Sequence, residues 1–471
     1  MRIGLVLLLL LAACSTRREP VRELEDAYPA EATPSGNTRT FELVAAETEL
    51  PLIDGAKLRV WAYNNQVPGP TLRIRLGDTL RVRFTNKLPQ ATTIHWHGVR
   101  VPNAMDGVPN ATQPPIQPGQ SFTYEFTPKD AGTFWFHPHV RASEQVERGL
   151  YGVLIVEDRE PPPYQQDVVW VIDDWLLGAD RQIVGAFNTG HDLAMDGRWG
   201  NAITVNGRTD TTLHVGAGER IRLRLLNSSN GRIYAPEFGD AKVEIIAVDG
   251  LYLRAPITLD RFELAPGNRL DLDITSTGNT SRVVTVIDRF FAQRPNKLAE
   301  LQLDGGQLPA RFASPARARV PSWADGLEAP ITKTFALDAR RGGPYGIEWM
   351  FDGKPFAGHD HAHPALSLVK GAWTRLQFTN ATARLHPSPS SPQSPLASPS
   401  PPLARPPPNL SADPAAPPAE SRPEPNRDEV RAALARHDGR VAEAARSLGL
   451  SSRYALYRLM KKYGIDADAP G

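Results

Sequence analysis

The 471 residues suffice for two to four domains, each with a core of its own. With 53 Lys and Arg against 52 Asp and Glu the formal charge is +1, which excludes a global pull toward nucleic acid or anionic surfaces and leaves such partners to be sought in local segments. Cys14 is the one cysteine, so no disulfide can form within the chain.

Residues 1–14, MRIGLVLLLLLAAC, hold one arginine and an apolar run from Ile3 to Ala13. The run is too short to span a bilayer as a mature helix and reads as an export signal. Its end, "LAAC", resembles the lipobox of bacterial lipoproteins. That resemblance implies a lipidated Cys14 that anchors the mature chain to a membrane in the periplasm or cell envelope.

From residue 38 to 158 short alternating runs such as "TLRIRLGDTLRVRFTN" and "YGVLIVED" stand between Gly, Pro and Asn turn signals. This period-two pattern predicts an antiparallel sandwich with little helix. A second block, 165–306, repeats the grammar, and a third begins near 330 and runs to 385. "TLRIRLGDTLRVRFTN", "TLHVGAGERIRLRLLN" and "ALSLVKGAWTRLQFTN" share one design, apolar strand, Gly turn, apolar strand, Asn, which indicates repetition at domain scale.

The third copy stops after Asn380. Residues 386–425 contain 15 prolines and 8 serines, a composition that forms neither sheet ladders nor a packed core and predicts a disordered linker. Beyond it the period becomes helical. Asn426 and Glu429 form a capping box ahead of Val430, Ala433, Leu434 and His437, and two further apolar stripes complete a three-helix bundle over 426–465.

Two His-x-His pairs carry the chemistry. "TIHWHGV" puts His95 and His97 on one face of a strand, and "FWFHPHV" does the same with His137 and His139. If the strands converge, four neutral imidazoles flanked by Trp and Phe suit copper or zinc. The stretches "VPGPTLRIRLGDTLRVRFTN", "TTIHWHGVRVPNAMDGVPNATQPPIQPGQSFTYEFTP" and "GTFWFHPHVRASEQVERGLYGVLIVED" resemble the first domain of the multicopper oxidases, the laccase-like family of three cupredoxin domains, and the likeness continues more loosely to about residue 383. It implies a mainly β fold of consecutive Greek-key sandwiches, copper as cofactor, and oxidation of phenols or metal ions with dioxygen as acceptor. It further implies that His95 serves the type 2 copper, that His97, His137 and His139 serve the type 3 pair, and that Asp106 helps deliver protons.

The family's third domain adds a His-Pro-x-His-Leu-His-Gly motif and a His-Cys-His motif. Here "NATARLHP" reaches the first histidine of the former, His386, and then departs from the pattern; the second motif is missing. A blue copper site needs a thiolate beside two imidazoles, and Cys14 lies in the export signal. The expectation is therefore an incomplete oxidase without laccase-type turnover, or a non-enzymatic periplasmic copper-binding protein. His359, His361 and His363 read as an exposed loop.

"RVAEAARSLGLSSRYALYRLMKKYGI" resembles a Fis-type helix-turn-helix, which implies duplex DNA as a partner and Ser452, Arg453, Tyr454, Tyr457, Arg458 and Lys461 as its contacts. Nine Lys or Arg against four Asp or Glu over 426–465 give a local balance of +5, as a DNA module requires. An export signal and a chromosomal DNA-binding tail conflict in location. The junction near His386 thus reads as a frameshift, a fusion, or a linker to a DNA-binding transcriptional regulator.

Overall fold

The computed structural model describes residues 33–187, 189, 192, 197–258, 262–276, 278, 280–291, 293–307, 331–341, 347–355, 366, 374–380, 425–437, 444, 447–448, 459, 463 and 465. Cys14, His386, the 359–363 tract and the residues Ser452, Arg453, Tyr454, Tyr457, Arg458 and Lys461 lie outside the described residues.

The first sandwich comprises β1 (Thr38–Pro51), β2 (Lys57–Tyr63), β3 (Leu72–Arg75), β4 (Thr79–Asn86), β5 (His95–His97), β6 (Ser121–Phe126), β7 (Gly132–His137) and β8 (Gly152–Glu157). Its sheets run β2-β1-β4-β6 and β3-β8-β7-β5. Alternation fixes which face is inside: in β4, Leu80, Val82 and Phe84 are buried while Arg83 is exposed. Leu43, Tyr63, Trp96, Tyr124 and Phe136 complete the core between the sheets. One short helix, α1 (Ala142–Glu147), fits the expectation of little helix in this block; at six residues it is too short to display a helical period.

The second sandwich comprises β9 (Gln166–Trp175), β10 (Ala202–Val205), β11 (Thr212–Val215), β12 (Arg220–Asn227), β13 (Pro236–Glu237), β14 (Lys242–Val248), β15 (Leu251–Ile257), β16 (Arg269–Thr275), β17 (Arg282–Asp288) and β18 (Asn296–Leu303). Its sheets run β10-β9-β12-β16-β14-β15 and β11-β18-β17-β13. β12 is buried on both faces. Ile221, Leu223 and Leu225 enter the apolar core. Arg220, Arg222 and Arg224 pair instead with Asp273, Asp271 and Asp167, because buried charge persists only when neutralised and hydrogen-bonded. Thr133 of β7 enters this ladder, donating to Asp271 at 2.6 Å and accepting from Arg224 at 2.7 Å, and so ties the first sandwich to the second. Burial alone would raise the Asp271 carboxyl, but Arg222 and Arg224 outweigh it and hold the group below its ordinary range.

The third block contributes one sheet among the described residues, β21-β20-β19-β22, built from β19 (Ile331–Arg341), β20 (Ile347–Phe351), β21 (Lys354–Pro355) and β22 (Arg375–Asn380). It repeats the opening of both sandwiches. β1, β9 and β19 each pair antiparallel with the next strand and parallel with β4, β12 and β22 respectively. In each, a two-residue hairpin (Asn64-Asn65, Asn206-Gly207, Asp352-Gly353) has positive φ at both positions, as a type I′ turn requires. The first turn residue accepts a backbone N–H from Val44, Val171 or Ala336 at 2.8, 2.8 and 2.9 Å. The terminal asparagines also match: Asn86 and Asn227 each accept an N–H from two residues ahead and donate to two carbonyls. By this register Phe351 corresponds to Tyr63 and Phe378 to Phe84. The first-sandwich pair is fully buried, whereas Phe351 and Phe378 are each 46% exposed.

A separate compact unit holds α2 (Arg427–Arg436). The Asn426 side chain accepts from Asp428 and Glu429, and the Glu429 carboxylate accepts from the Asn426 N–H at 2.8 Å, so the capping box forms as its sequence predicts. Val430, Ala433, Leu434, Ala444 and Leu459 form its core.

Candidate metal centre

β5 and β7 are antiparallel neighbours with His95 opposite His137, Trp96 opposite Phe136, and His97 opposite Trp135. Strand alternation sends Trp96 and Phe136 into the core. It leaves His95, His97 and His137 on the other face, and His139 joins them from just beyond the end of β7. The two pairs therefore converge, with ring centroids 4.7 Å apart for His95 and His139 and 5.5 Å for His95 and His137.

Hydrogen bonds set the ring orientations. His95 Nδ1–H donates to the Asp106 carbonyl at 2.7 Å, with the Asp106 carboxylate 3.3 Å from the same nitrogen. His137 Nδ1–H donates to the Pro138 carbonyl at 3.0 Å. Both rings thus carry their lone pair on Nε2, the tautomer that such outer partners fix around metal ligands. The His139 N–H donates to Thr93 Oγ at 3.3 Å, and the Ile94 N–H to the Tyr124 hydroxyl at 2.9 Å, which pins β5.

Two groupings result. The ligand atoms of His95, His137 and His139 lie within 4.8 Å of one another. His97 stands apart from that trio, with Nδ1 3.4 Å from His137 Nε2. Two nitrogens about 2.0 Å from one ion at a tetrahedral angle stand about 3.3 Å apart, so this pair can share a metal as placed. Burial, joined by the Arg269 charge, lowers His97 to about 3, and burial lowers His139 to about 4. Burial also pushes His137 well down. These three rings are neutral at pH 7, and metal uptake displaces no proton from them. The donor set fits copper.

The second sandwich supplies an inner wall. Gly267, at φ +81°, lies so close to His97 that a Cβ there would stand 3.3 Å from Cε1. Arg269 is buried and bonded to the carbonyls of Thr133, Gly267 and Asp249. Trp135 stacks on His137 at 4.0 Å and leans on His97 at 5.0 Å. Sequence reasoning found the histidines and Asp106 but missed Gly267, Arg269 and Thr93. "APGNR" was visible as a turn before a strand, yet nothing in it announces a neighbour 170 positions upstream (267 against 97).

The family model for multicopper oxidases matches residues 45–161, a second one 166–299, and the model for bacterial regulatory proteins of the Fis family 423–463. A crystal structure of a multi-copper oxidase from Pseudomonas thermotolerans is 34% identical, aligns at a TM-score of 0.58, and covers 64% of this chain and 73% of its own. This chain belongs to the multicopper oxidases. Copper is that family's cofactor. Multicopper oxidase MmcO of Mycobacterium tuberculosis is 29% identical over 404 residues, 77% of each chain. Laccase-1 of Cryptococcus neoformans var. grubii is 31% identical over 291 residues, 56% of this chain and 46% of the laccase, so the match spans about half of that relative. A multicopper oxidase carrying a Fis-type helix-turn-helix joins two modules of different chemistry in one polypeptide.

Proposed function

We propose that this protein binds copper in the first sandwich through His95, His97, His137 and His139 and does not turn over dioxygen. The observation that carries the reading is the gathering of four imidazoles on and just past two neighbouring strands, His95, His137 and His139 as a trio and His97 against His137, in a chain whose one cysteine is Cys14. Bound copper would supply one-electron chemistry toward dioxygen, which in the family is driven by phenols or metal ions as donors. The residues here hold, orient and shield: Asp106 fixes the His95 ring, Pro138 fixes His137, and Trp135 with Gly267 excludes water beside His97. By the family resemblance Asp106 would also hand on protons. What the donor set lacks is a thiolate beside imidazoles through which substrate electrons would enter.

The export signal and a lipidated Cys14 would place this copper site in the periplasm or cell envelope. The test is purified full-length protein loaded with Cu(II), followed by electron paramagnetic resonance, visible absorption and oxygen uptake with a phenol and with Cu(I). Bound copper without intense blue absorption and without oxygen uptake is the expected result. A strong blue band, or donor-dependent oxygen consumption, overturns it.

A second reading, a DNA-binding transcriptional regulator, is favoured by the capped α2 with its apolar core and by the Fis-family match. Duplex DNA would then be the partner of the C-terminal module, through Ser452, Arg453, Tyr454, Tyr457, Arg458 and Lys461. Sequencing the coding DNA around codons 384–390 in all frames separates a frameshifted fusion from a designed linker.

A further inference from the structure

We infer that Arg269 sets the valence preference of the copper site: its buried guanidinium, carried by β16 of the second sandwich, lies beside His97 and disfavours Cu(II) relative to Cu(I). The inference rests on the copper reading for its occupant and adds to it a residue that supplies no ligand atom.

The geometry fixes a charge behind one ring of the nest. Gly98 follows His97 at φ +81°, and a Cβ there would run into Nη2 of Arg269. Nη1 of Arg269 donates to the Gly267 carbonyl at 2.7 Å, and a Cβ on Gly267 would stand 3.3 Å from Cε1 of His97. Nε and Nη2 donate to the carbonyls of Thr133 and Asp249 at 3.3 and 3.0 Å. Carbonyls from both sandwiches thus hold the planar fork in place. A guanidinium keeps its charge at pH 7 even when buried.

Neutralisation of that charge is one-sided. Asp249 Oδ1 lies 3.2 Å from Nη1 and is part-exposed. Asp271, the other acid near Arg269, is engaged by Arg222, Arg224 and Thr133. On the metal side stand the neutral rings of His97, His137 and His139, with the part-exposed Asp106 turned to His95. Burial, joined by the Arg269 charge, already brings His97 to about 3, which is the same field felt by a proton. Repulsion grows with the charge of the ion that faces the guanidinium, so Cu(II) is destabilised about twice as much as Cu(I), at an effective dielectric well below that of water. Arg269 acts through space and through the seat of His97, which makes it a positioning residue.

The experiment measures two affinities of the full-length protein: Cu(I) against bathocuproine disulfonate under ascorbate without air, and Cu(II) against EDTA. Their ratio reads the valence preference, and a tenfold change in it corresponds to about 59 mV for one electron. Arg269→Gln should lower the Cu(I):Cu(II) ratio at least about 10-fold. Arg269→Lys keeps the charge and loses the fork, so the ratio should stay within about threefold of the parent even where both affinities fall. Asp249→Asn removes the neutralising anion yet keeps an acceptor for the Arg269 N–H, 2.9 Å away, and should raise the ratio; the expected rise is about threefold. Circular dichroism checks each fold, and should Arg269→Gln fail to fold, the direction of the Asp249→Asn shift decides. A ratio that ignores both charge changes, or that falls as far in Arg269→Lys as in Arg269→Gln, would make Arg269 a structural prop and overturn the inference. Copper that binds with an unmoved ratio leaves the copper reading intact; a parent protein that takes up neither valence sinks both.

Discussion

Gly107 offers a test of how the backbone under the metal centre is held. It follows Asp106 at φ +77°, and a Cβ there would run into the Ile94 carbonyl and stand 2.9 Å from the His95 backbone nitrogen. In Gly107→Ala the left-handed backbone costs about 1–2 kcal/mol. Parting the two segments adds about 1–3 kcal/mol, the usual penalty for overpacking. A loss of roughly 2–5 kcal/mol leaves a domain of about 5–15 kcal/mol folded but weakened. The shift also draws the Asp106 carbonyl away from His95 Nδ1, so copper affinity should fall about 10–100-fold. Gly119→Ala is the control: its φ is +80° with nothing near the added methyl, so only the conformational cost of about 1–2 kcal/mol applies. Urea unfolding and copper competition against a chelator read both effects. A Gly107→Ala protein that unfolds like Gly119→Ala and binds copper like the parent would refute the reasoning.

Three further outcomes follow from the packing. Glu147 is buried, and burial, outweighing Arg198 and aided by Asp174, raises its carboxyl from 4.5 to about 7. Its folded-state pKa exceeds the unfolded one, so its contribution is present below pH 4.5 and lost as pH climbs to 7. That contribution is roughly 3 kcal/mol, and urea midpoints from pH 5 to 8 should flatten in Glu147→Gln. Asn227→Ala and Asn86→Ala each strand two carbonyls and an N–H, so both should cost roughly 2–4 kcal/mol by equilibrium unfolding; a neutral result at either would mean the repeated turn is decorative. Residues 420–471 alone should shift duplex DNA at low salt, with log affinity falling by about 0.9 per phosphate contacted for each decade of salt.

Much of this molecule was legible because its signals are local. Alternation announces the strands, His-x-His at period two announces a shared face, and Asn426 with Glu429 announces a helix start. The unread parts are relations between distant segments. Arg220, Arg222 and Arg224 alternate with leucine-type residues and look like a solvated face, yet they pair across the sheet with Asp273 and Asp271 of β16 and Asp167 of β9, and Thr133 of the first sandwich closes over the ladder. Gly267 and Arg269 belong to the metal centre through tertiary packing alone. The repeat was visible as strand, Gly turn, strand, Asn; its other half is the paired left-handed turns at Asn64, Asn206 and Asp352, two of which carry the Asn-Gly or Asp-Gly hairpin signal, while Asn64-Asn65 is matched to them by its backbone angles.

The wall that Gly267 and Arg269 raise behind His97 would make a bound metal a gauge of how the two sandwiches fit together. If the histidines hold copper as proposed, one sandwich would grip the ion and the other would cover His97. The residence time of copper would then report how well the two sandwiches stay packed, readable without a label.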